Sequence, residues 1–242
     1  MTTVNDKAKD MLNFRRIGGA VALGCITATL LLGAAPARAQ SALATFKHHS
    51  IVVSTIPDNG DLNPYAVFIA PATSGKIQKG DVLVDNFNNL SNLQGTGGSI
   101  IDYNPSTRAT TLFAKVPQNL RQCPGGIGMS TAMAALKSGW VIVGSTPSTD
   151  GTTATKGPGC LLVFDSNGRL ATVWSGSHIN DPWGNMAVVD NGSTATLFVS
   201  MSGYDVPGPN KIDPATGDPV VVNKATVLRI QLAIPASGTP KV

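Results

Sequence analysis

Glutamate is absent from this sequence of 242 residues, and all 14 acidic residues are aspartates. General acid and base catalysis by a pair of carboxyl groups would therefore need two aspartates. Histidine is also scarce, since His48, His49 and His178 are the only three. A three-histidine metal site would need both ends of the chain to converge, so the sequence predicts no metal site and no cofactor.

Charged residues are sparse as well, at 13%, whereas 26 glycines and 16 prolines are present. This balance is typical of many short strands joined by turns, and it predicts an all-β protein with almost no helix. The hydrophobic content of 42% is sufficient for a buried core.

Nucleophilic catalysis has little support in the sequence. No Gly-x-Ser-x-Gly motif is present, and Cys123 precedes Pro124-Gly125-Gly126, which is typical of a turn. Ser130 has no basic residue near it in the sequence. Acyl transfer by these residues is therefore not favoured.

The first 39 residues are typical of an export signal. Arg15 and Arg16 precede an uncharged run from Ile17 to Ala35, and Ala37-Arg38-Ala39 has the small residues of a cleavage site. We predict a signal helix in residues 1–39 with cleavage before Gln40, and a secreted or periplasmic protein. A membrane anchor is the alternative, so contact with a membrane is expected only through an uncleaved signal.

Removal of the signal changes the charge balance. It contains five of the 18 basic and two of the 14 acidic residues, so 13 basic and 12 acidic residues remain. No basic stripe is left, and nucleic acid is not a predicted partner. Cys123 and Cys160 are then the only cysteines, and an oxidising compartment permits a disulfide, with two buried thiols as the alternative.

Residues 40–242 contain an internal repeat. A short β-branched run recurs with Val84, Val143 and Val199 at equivalent positions, which is typical of equivalent strands. A second run begins at Gly98, Gly159 and, more loosely, Ala225. The first two copies continue through turns, of which Asp165-Ser166-Asn167-Gly168 is a hairpin signal.

A third element precedes each copy, so each unit has the strand content of a four-stranded propeller blade. The sequence predicts about three blades, in units of about 60–116, 125–176 and 180–234. The third copy lacks its last strand, and Ser50–Thr55 is predicted to be a strand without a copy of its own. Three blades are fewer than the usual four to eight or so. The alternatives are an open or incomplete ring, two chains that associate through open blade edges, and a shortened chain.

The run Val82-Leu83-Val84-Asp85-Asn86-Phe87-Asn88-Asn89, followed by Ser99-Ile100-Ile101-Asp102-Tyr103-Asn104-Pro105, resembles NHL-repeat propellers. The resemblance covers most of residues 60–232 and is weaker in the later copies, where Gly144 and Ser200 replace Asp85. It implies a blade architecture but no single activity, because that family includes binding scaffolds, sensors and a few enzymes. A gluconolactonase-type propeller, which uses a glutamate as a metal ligand, is disfavoured.

The candidate ligand-binding residues lie in the loops that lead into the first strand of a blade, because these loops meet at one mouth of a propeller. Amides, carboxylates and aromatic rings together suit a carbohydrate or another small polar ligand. Alternatively, the amides and carboxylates cap turns while the rings fill the core. The candidates from these loops are Asp58, Asn63, Tyr65, His178, Asn180, Asp181 and Trp183, and Asn86, after the second strand, is a further candidate.

Four asparagines follow one another closely in a glycine-rich region after the second strand, at Asn86, Asn88, Asn89 and Asn92. They either bind Ca²⁺ or fill turns.

The predicted function is that of an exported, non-catalytic binding or scaffold protein that uses the loop face of its propeller. One alternative is a hydrolase or lyase with Asp181 and His178 at the channel mouth. A third is a truncated fragment with no independent function.

Overall fold

The computed structural model describes residues 50–152, 155–203 and 225–242. Apart from Ser50, these residues belong to the compact unit Ile51–Val242. The predicted signal helix and His48 and His49 lie outside the described residues. The described chain is nearly all β, and the prediction of an all-β fold of blade-like antiparallel sheets is confirmed.

The first sheet is a four-stranded antiparallel meander in the order β1-β2-β3-β4. Its strands are β1 (Leu62–Ile69), β2 (Val82–Asn88), β3 (Gln94–Asn104) and β4 (Ala109–Lys115). Register pairs such as Val84 with Ile101 place β-branched and aliphatic side chains opposite each other across neighbouring strands.

The second sheet repeats this meander in the order β5-β6-β7-β8. Its strands are β5 (Met129–Ala135), β6 (Val141–Ser145), β7 (Cys160–Phe164) and β8 (Leu170–Trp174). The predicted hairpin at Asp165–Gly168 joins β7 to β8, and Gly168 adopts a φ of 77° there. A Cβ at Gly168 would lie 1.8 Å from the Phe113 carbonyl oxygen. The positive φ and this close approach each require glycine at this position.

The third sheet has three strands in the order β11-β10-β9. These are β9 (Met186–Asp190), β10 (Thr194–Met201) and β11 (Thr226–Ala233). A fourth strand is absent from the described part of this sheet, as the incomplete third repeat predicts. The C-terminal residues contribute one bridge, between Ala233 and Lys241.

The second sheet is the centre of the packing, because both of its faces are buried. Leu162 lies in a cluster with Leu83 and Ile100 of the first sheet. Its neighbour Leu161 lies in a cluster with Leu197 and other residues of the third sheet. The first strands of the sheets also meet, since β5 packs against both β1 and β9.

The third sheet leaves one face open, whereas the first sheet is open mainly at its edge strands β1 and β4. Val67 and Ile69 of β1 are 67% and 65% exposed, and Val189 and Phe198 of the third sheet are also exposed. Within the described chain, the three sheets therefore form a row, and the second sheet has a hydrophobic cluster on each of its faces.

The prediction of a strand at Ser50–Thr55 is wrong. This segment has no strand structure, and Ile51 is 96% exposed. The carbonyl oxygen of Thr55 accepts a hydrogen bond from the Asn86 side-chain amide at 2.8 Å, so the segment ends against the first sheet and not the third. A β-branched run forms a strand only when a neighbouring strand is there to pair with it.

Candidate functional site

The strand directions place one set of loops at a common end of each sheet. β1 begins where β2 ends, because Leu62 pairs with Asn88, and the other meanders repeat this arrangement. We call this set the upper loops, and within the described chain it comprises residues 57–61, 89–93, 116–128, 146–152, 155–159, 175–185, 202–203 and 225.

Three aromatic rings gather at this end of the molecule. Tyr65 of β1 stacks on Phe87 of β2 with ring centroids 4.4 Å apart. Trp183, from the loop before β9, tilts against both, at 6.3 Å from Tyr65 and 5.5 Å from Phe87. Phe87 is buried whereas Tyr65 and Trp183 are partly exposed, so this aromatic cluster joins the first sheet to the loop of the third and reaches the surface.

Lys156 adds a cation to the aromatic cluster. Its Nζ lies 3.4 Å from the centroid of a Trp183 ring and 4.0 Å from Asp181 Oδ2. The lysine side chain is only 14% exposed. Burial lowers the pKa of Lys156, and the Asp181 carboxylate opposes this effect. An ammonium over an indole face gains electrostatic stabilisation from the ring.

The Asp181 backbone fixes the loop that carries Trp183. Asp181 has a φ of 57°, its N–H donates to the Pro158 carbonyl at 2.7 Å, and its carboxylate accepts a hydrogen bond from the Ser202 hydroxyl. The Trp183 N–H donates to the Asp181 carbonyl at 2.8 Å. Asp181 Oδ1 is buried and has no hydrogen-bond partner among the described residues. This loop is therefore anchored at its backbone and holds Trp183 in place.

The second sheet supports the same loop. The Ser130 hydroxyl donates to the Pro182 carbonyl, and the Thr131 hydroxyl donates to the Trp183 carbonyl. A Cβ at Gly144 would lie 2.5 Å from the Pro182 carbonyl oxygen. The glycine that replaces Asp85 in the second repeat therefore leaves room for the loop to approach the sheet.

Asp85 has a structural role in the first sheet. β1 contains a bulge between Pro64 and Val67, and Asp85 Oδ1 accepts a hydrogen bond from the Ala66 N–H there at 2.8 Å. Burial raises the pKa of Asp85 well above its ordinary value, and the bond to Ala66 opposes this effect. In the second sheet, Ser130 Oγ accepts from the equivalent Ala132 N–H at 3.4 Å.

Comparison with protein-family models finds no match. Comparison with curated proteins finds no significant match either. Membership of the NHL-repeat family therefore stays a prediction.

Three of the predicted ligand-binding residues, Tyr65, Asp181 and Trp183, converge with Lys156 in one place. Asn63 lies nearby in the sequence, but its amide donates to Asn88 Oδ1 at 3.1 Å. Asn180 accepts a hydrogen bond from the Gly203 N–H at 3.3 Å through its carbonyl.

The remaining predicted residues lie apart from the aromatic cluster. Asn86 is fully buried in β2 and donates to Thr55 and to Ser99 Oγ. Asp58 lines a cavity beside β3 and β4. His178 is exposed and lines a different groove, between β8 and β11.

Of the four asparagines predicted to follow the second strand, Asn86 and Asn88 lie in β2, and Asn88, Asn89 and Asn92 form hydrogen bonds within the turn after it. The Asn88 amide donates to Asn92 Oδ1 at 2.7 Å, and Asn89 Oδ1 accepts from the Ser91 N–H at 3.0 Å. The described residues contain no group of three or more metal-ligating side chains. Among the same residues, no helix has both the length and the hydropathy to cross a membrane.

Two residues of the cluster were missed from the sequence. Phe87 is in the second strand of a repeat, where an aromatic residue is typical of the core. Lys156 lies in a run of threonine and glycine, and only its isolation as the single cation of residues 138–168 sets it apart.

A disulfide ties one upper loop to the second sheet. Cys123 and Cys160 are bonded, with an S–S distance of 2.06 Å and Cα atoms 5.2 Å apart, so the structure contains the disulfide and not two thiols. Cys160 is the first residue of β7, and both cysteines are part of the core between the first and second sheets.

A buried acid at the opposite end of the first sheet gives a pH-dependent prediction. Burial and the neighbouring Asp81 raise the pKa of Asp102 to about 6 from its ordinary value of 3.8. A carboxyl group whose pKa is raised by folding stabilises the fold at pH values below its ordinary pKa of 3.8. This contribution is lost as the pH rises toward 6. We expect Asp102→Asn to be more stable than wild type at pH 7 by about 2 kcal/mol and to match it near pH 4.

Urea unfolding at pH values between 4 and 7 measures this difference. Equal displacement of the two stability curves at every pH would contradict the assignment of the raised pKa to Asp102.

Proposed function

We propose that this chain is an exported, non-catalytic binding protein of NHL-like propeller architecture that takes a small polar or carbohydrate ligand at its upper loops. The observation that carries the proposal is the environment of the Lys156 ammonium. Its side chain is mostly buried, its ammonium lies over the Trp183 ring, and its one charged partner among the described residues is the Asp181 carboxylate at 4.0 Å. A lysine ammonium has three N–H donors, and a ring face and a carboxylate at 4.0 Å leave these donors available to a ligand.

A hydroxyl-rich ligand complements this arrangement. Its hydroxyl oxygens accept hydrogen bonds from Lys156, while its apolar ring faces suit the partly exposed rings of Tyr65 and Trp183. The loop is held from both sides, by Ser202 on Asp181 and by Ser130 on Pro182. A site whose groups are held before binding loses less conformational entropy when the ligand arrives.

Export is supported by two observations. The N-terminal sequence has the charge and hydropathy pattern of a signal peptide. The Cys123–Cys160 disulfide is of the kind that persists in oxidising compartments.

The alternative of a hydrolase or lyase paired Asp181 with His178. Asp181 is buried and bonded to Ser202, whereas His178 is exposed in the groove between β8 and β11. No contact between the two supports this alternative. Assays of lactone, ester and glycoside substrates with wild type, Asp181→Asn and His178→Ala would detect turnover, and activity lost in these variants would favour the enzyme.

A saccharide titration tests the binding proposal. We expect monosaccharides and short oligosaccharides to change the fluorescence of Trp183, and we expect Lys156→Met to weaken the best binder about tenfold or more, because hydrogen bonds to a charged donor are lost. Trp140→Phe and Trp174→Phe variants isolate the signal of Trp183.

Lys79→Met is the matched control, because Lys79 is an exposed lysine in the loop between β1 and β2, at the other end of the first sheet. Its affinity should equal that of wild type. If no saccharide binds, or if Lys156→Met and Lys79→Met bind alike, the proposal is wrong.

A further inference from the structure

The outer edge of the third sheet is open. β11 pairs with β10 on one side, and on the other side its only described partner is Lys241, opposite Ala233. Val227 is 68% exposed, and Arg229 and Gln231 are also exposed. An edge strand of this kind presents unpaired backbone groups to an incoming strand.

The hydrogen bonds at Ala233 show which backbone groups of β11 have no partner among the described residues. Ala233 and Lys241 exchange both of their N–H to carbonyl bonds at 2.9 Å, so Ala233 directs its backbone groups away from β10. Backbone direction alternates along a strand, so Val227, Arg229 and Gln231 direct theirs the same way. Three donors and three acceptors therefore line this edge.

A groove runs beside these backbone groups. It has a volume of about 750 Å³ and is lined by β11 residues 228–231, the end of β8, the loop 175–179 and Val242. Its walls include the apolar side chains of Trp174, Ile179, Leu228 and Ile230. The cavity beside the edge strand β4 is smaller, at about 400 Å³.

We propose that this groove binds an extended peptide segment of a partner protein, which adds to the third sheet as a fourth strand antiparallel to β11. This site is separate from the aromatic cluster and goes beyond the proposed function. The Ala233–Lys241 bridge occupies the end of β11, which leaves about five residues, Val227–Gln231, for the added strand to pair with.

The register specifies the chemistry of the segment. Residues opposite Leu228 and Ile230 point into the groove, because directly paired residues share a face of the sheet, and they should be apolar. The residue opposite Arg229 lies on the solvent face and should be acidic, because opposite charges on facing residues stabilise a strand pair.

Charge disfavours a second copy of this chain as the occupant. Antiparallel pairing of two β11 strands about Arg229 would place the two guanidinium groups directly opposite each other, and like charges in that position are destabilising. The partner strand is therefore a segment with an alternating apolar pattern and a central acid.

A fluorescent blocked peptide of sequence Thr-Val-Asp-Val-Thr tests the proposal by anisotropy with the full chain. We expect saturable binding that weakens about threefold when the central aspartate is replaced by lysine. Arg229→Asp should reverse this preference. Methylation of the backbone nitrogens at the first, third and fifth peptide residues should weaken binding about tenfold or more, because it removes the donors to β11.

Three measurements separate this site from its alternatives. Lys156→Met should bind the peptide like wild type, so failure of the saccharide site would not affect this result. The Val227, Arg229 and Gln231 amides should exchange rapidly in the free protein and slowly with peptide. Absence of binding, equal binding of the methylated peptide, slow exchange in the free protein, or a concentration-dependent dimer that the peptide dissociates would each overturn the proposal.

Discussion

Loss of the Cys123–Cys160 disulfide should lower the free energy of unfolding by about 4 kcal/mol. The bond closes a loop across a sequence separation of 37 residues, and cross-linking restricts the unfolded chain most when the closed loop is long. The loop contains β5 and β6, the first half of the second sheet. Since typical domains are stable by only about 5–15 kcal/mol, the change is a large part of the total.

Urea unfolding of wild type with and without reductant, and of the double variant Cys123→Ala with Cys160→Ala, measures this effect. Reductant should not change the unfolding of the double variant, which makes it the internal control. Alanine is preferable to serine, because both positions are buried and an added hydroxyl would lose its hydrogen bonds to water. An unchanged midpoint for reduced wild type would contradict the prediction.

The repeat was readable from the sequence because equivalent strands have the same environment. Val84, Val143 and Val199 occupy the second strands of the three sheets. Each second strand lies between two others, so a β-branched residue fits in every copy. Period and pattern therefore predict the sheets, the strand order within them and the three strands of the third sheet in the described chain.

The error at Ser50–Thr55 has the opposite cause. The segment has the composition of a strand, but composition does not provide a neighbour, and its most exposed residue, Ile51, contacts little of the described fold. Edge pairing depends on where two distant parts of the chain meet. A local sequence pattern does not show which distant segments pair.

The candidate site was predictable only in part, for a similar reason. The sequence predicts Tyr65, Asp181 and Trp183 as binding residues because each lies in or beside a loop that leads into the first strand of a repeat. The structure brings these loops together. Lys156 comes from a loop between β6 and β7, and its place over Trp183 depends on the Asp181 backbone bond to Pro158. His178, only three residues before Asp181, lines a different groove, so nearness in sequence was a poor guide there.

The role of Asp85 shows how a repeat can hide a difference in chemistry. Aspartate, glycine and serine occupy equivalent positions in the three sheets, at Asp85, Gly144 and Ser200. In the first sheet the carboxyl binds the bulge amide of Ala66, whereas in the second sheet Ser130 binds the equivalent amide and Gly144 makes room for the loop. The exchange of aspartate for glycine therefore preserves the bulge and permits the loop that carries Trp183.

Truncation of either leucine at the centre of β7 should destabilise the protein by about 2–5 kcal/mol. Leu161 and Leu162 are both fully buried, but they point to opposite faces, Leu161 toward the third sheet and Leu162 toward the first. If the second sheet is packed on both sides, Leu161→Ala and Leu162→Ala should have similarly large effects in urea unfolding. Leu112→Ala is the control, since Leu112 is 45% exposed and should cost about 1 kcal/mol or less.

The two leucine variants together distinguish a row of three sheets from a pair of sheets stacked face to face. In a pair of sheets stacked face to face, each strand buries one face only, and one of two adjacent leucines would behave like Leu112. A blade-like row instead requires both leucines of the middle sheet to leave cavities, because each removes methyl groups from a separate core cluster. A large loss in one variant and a small loss in the other would therefore contradict the packing of three successive sheets.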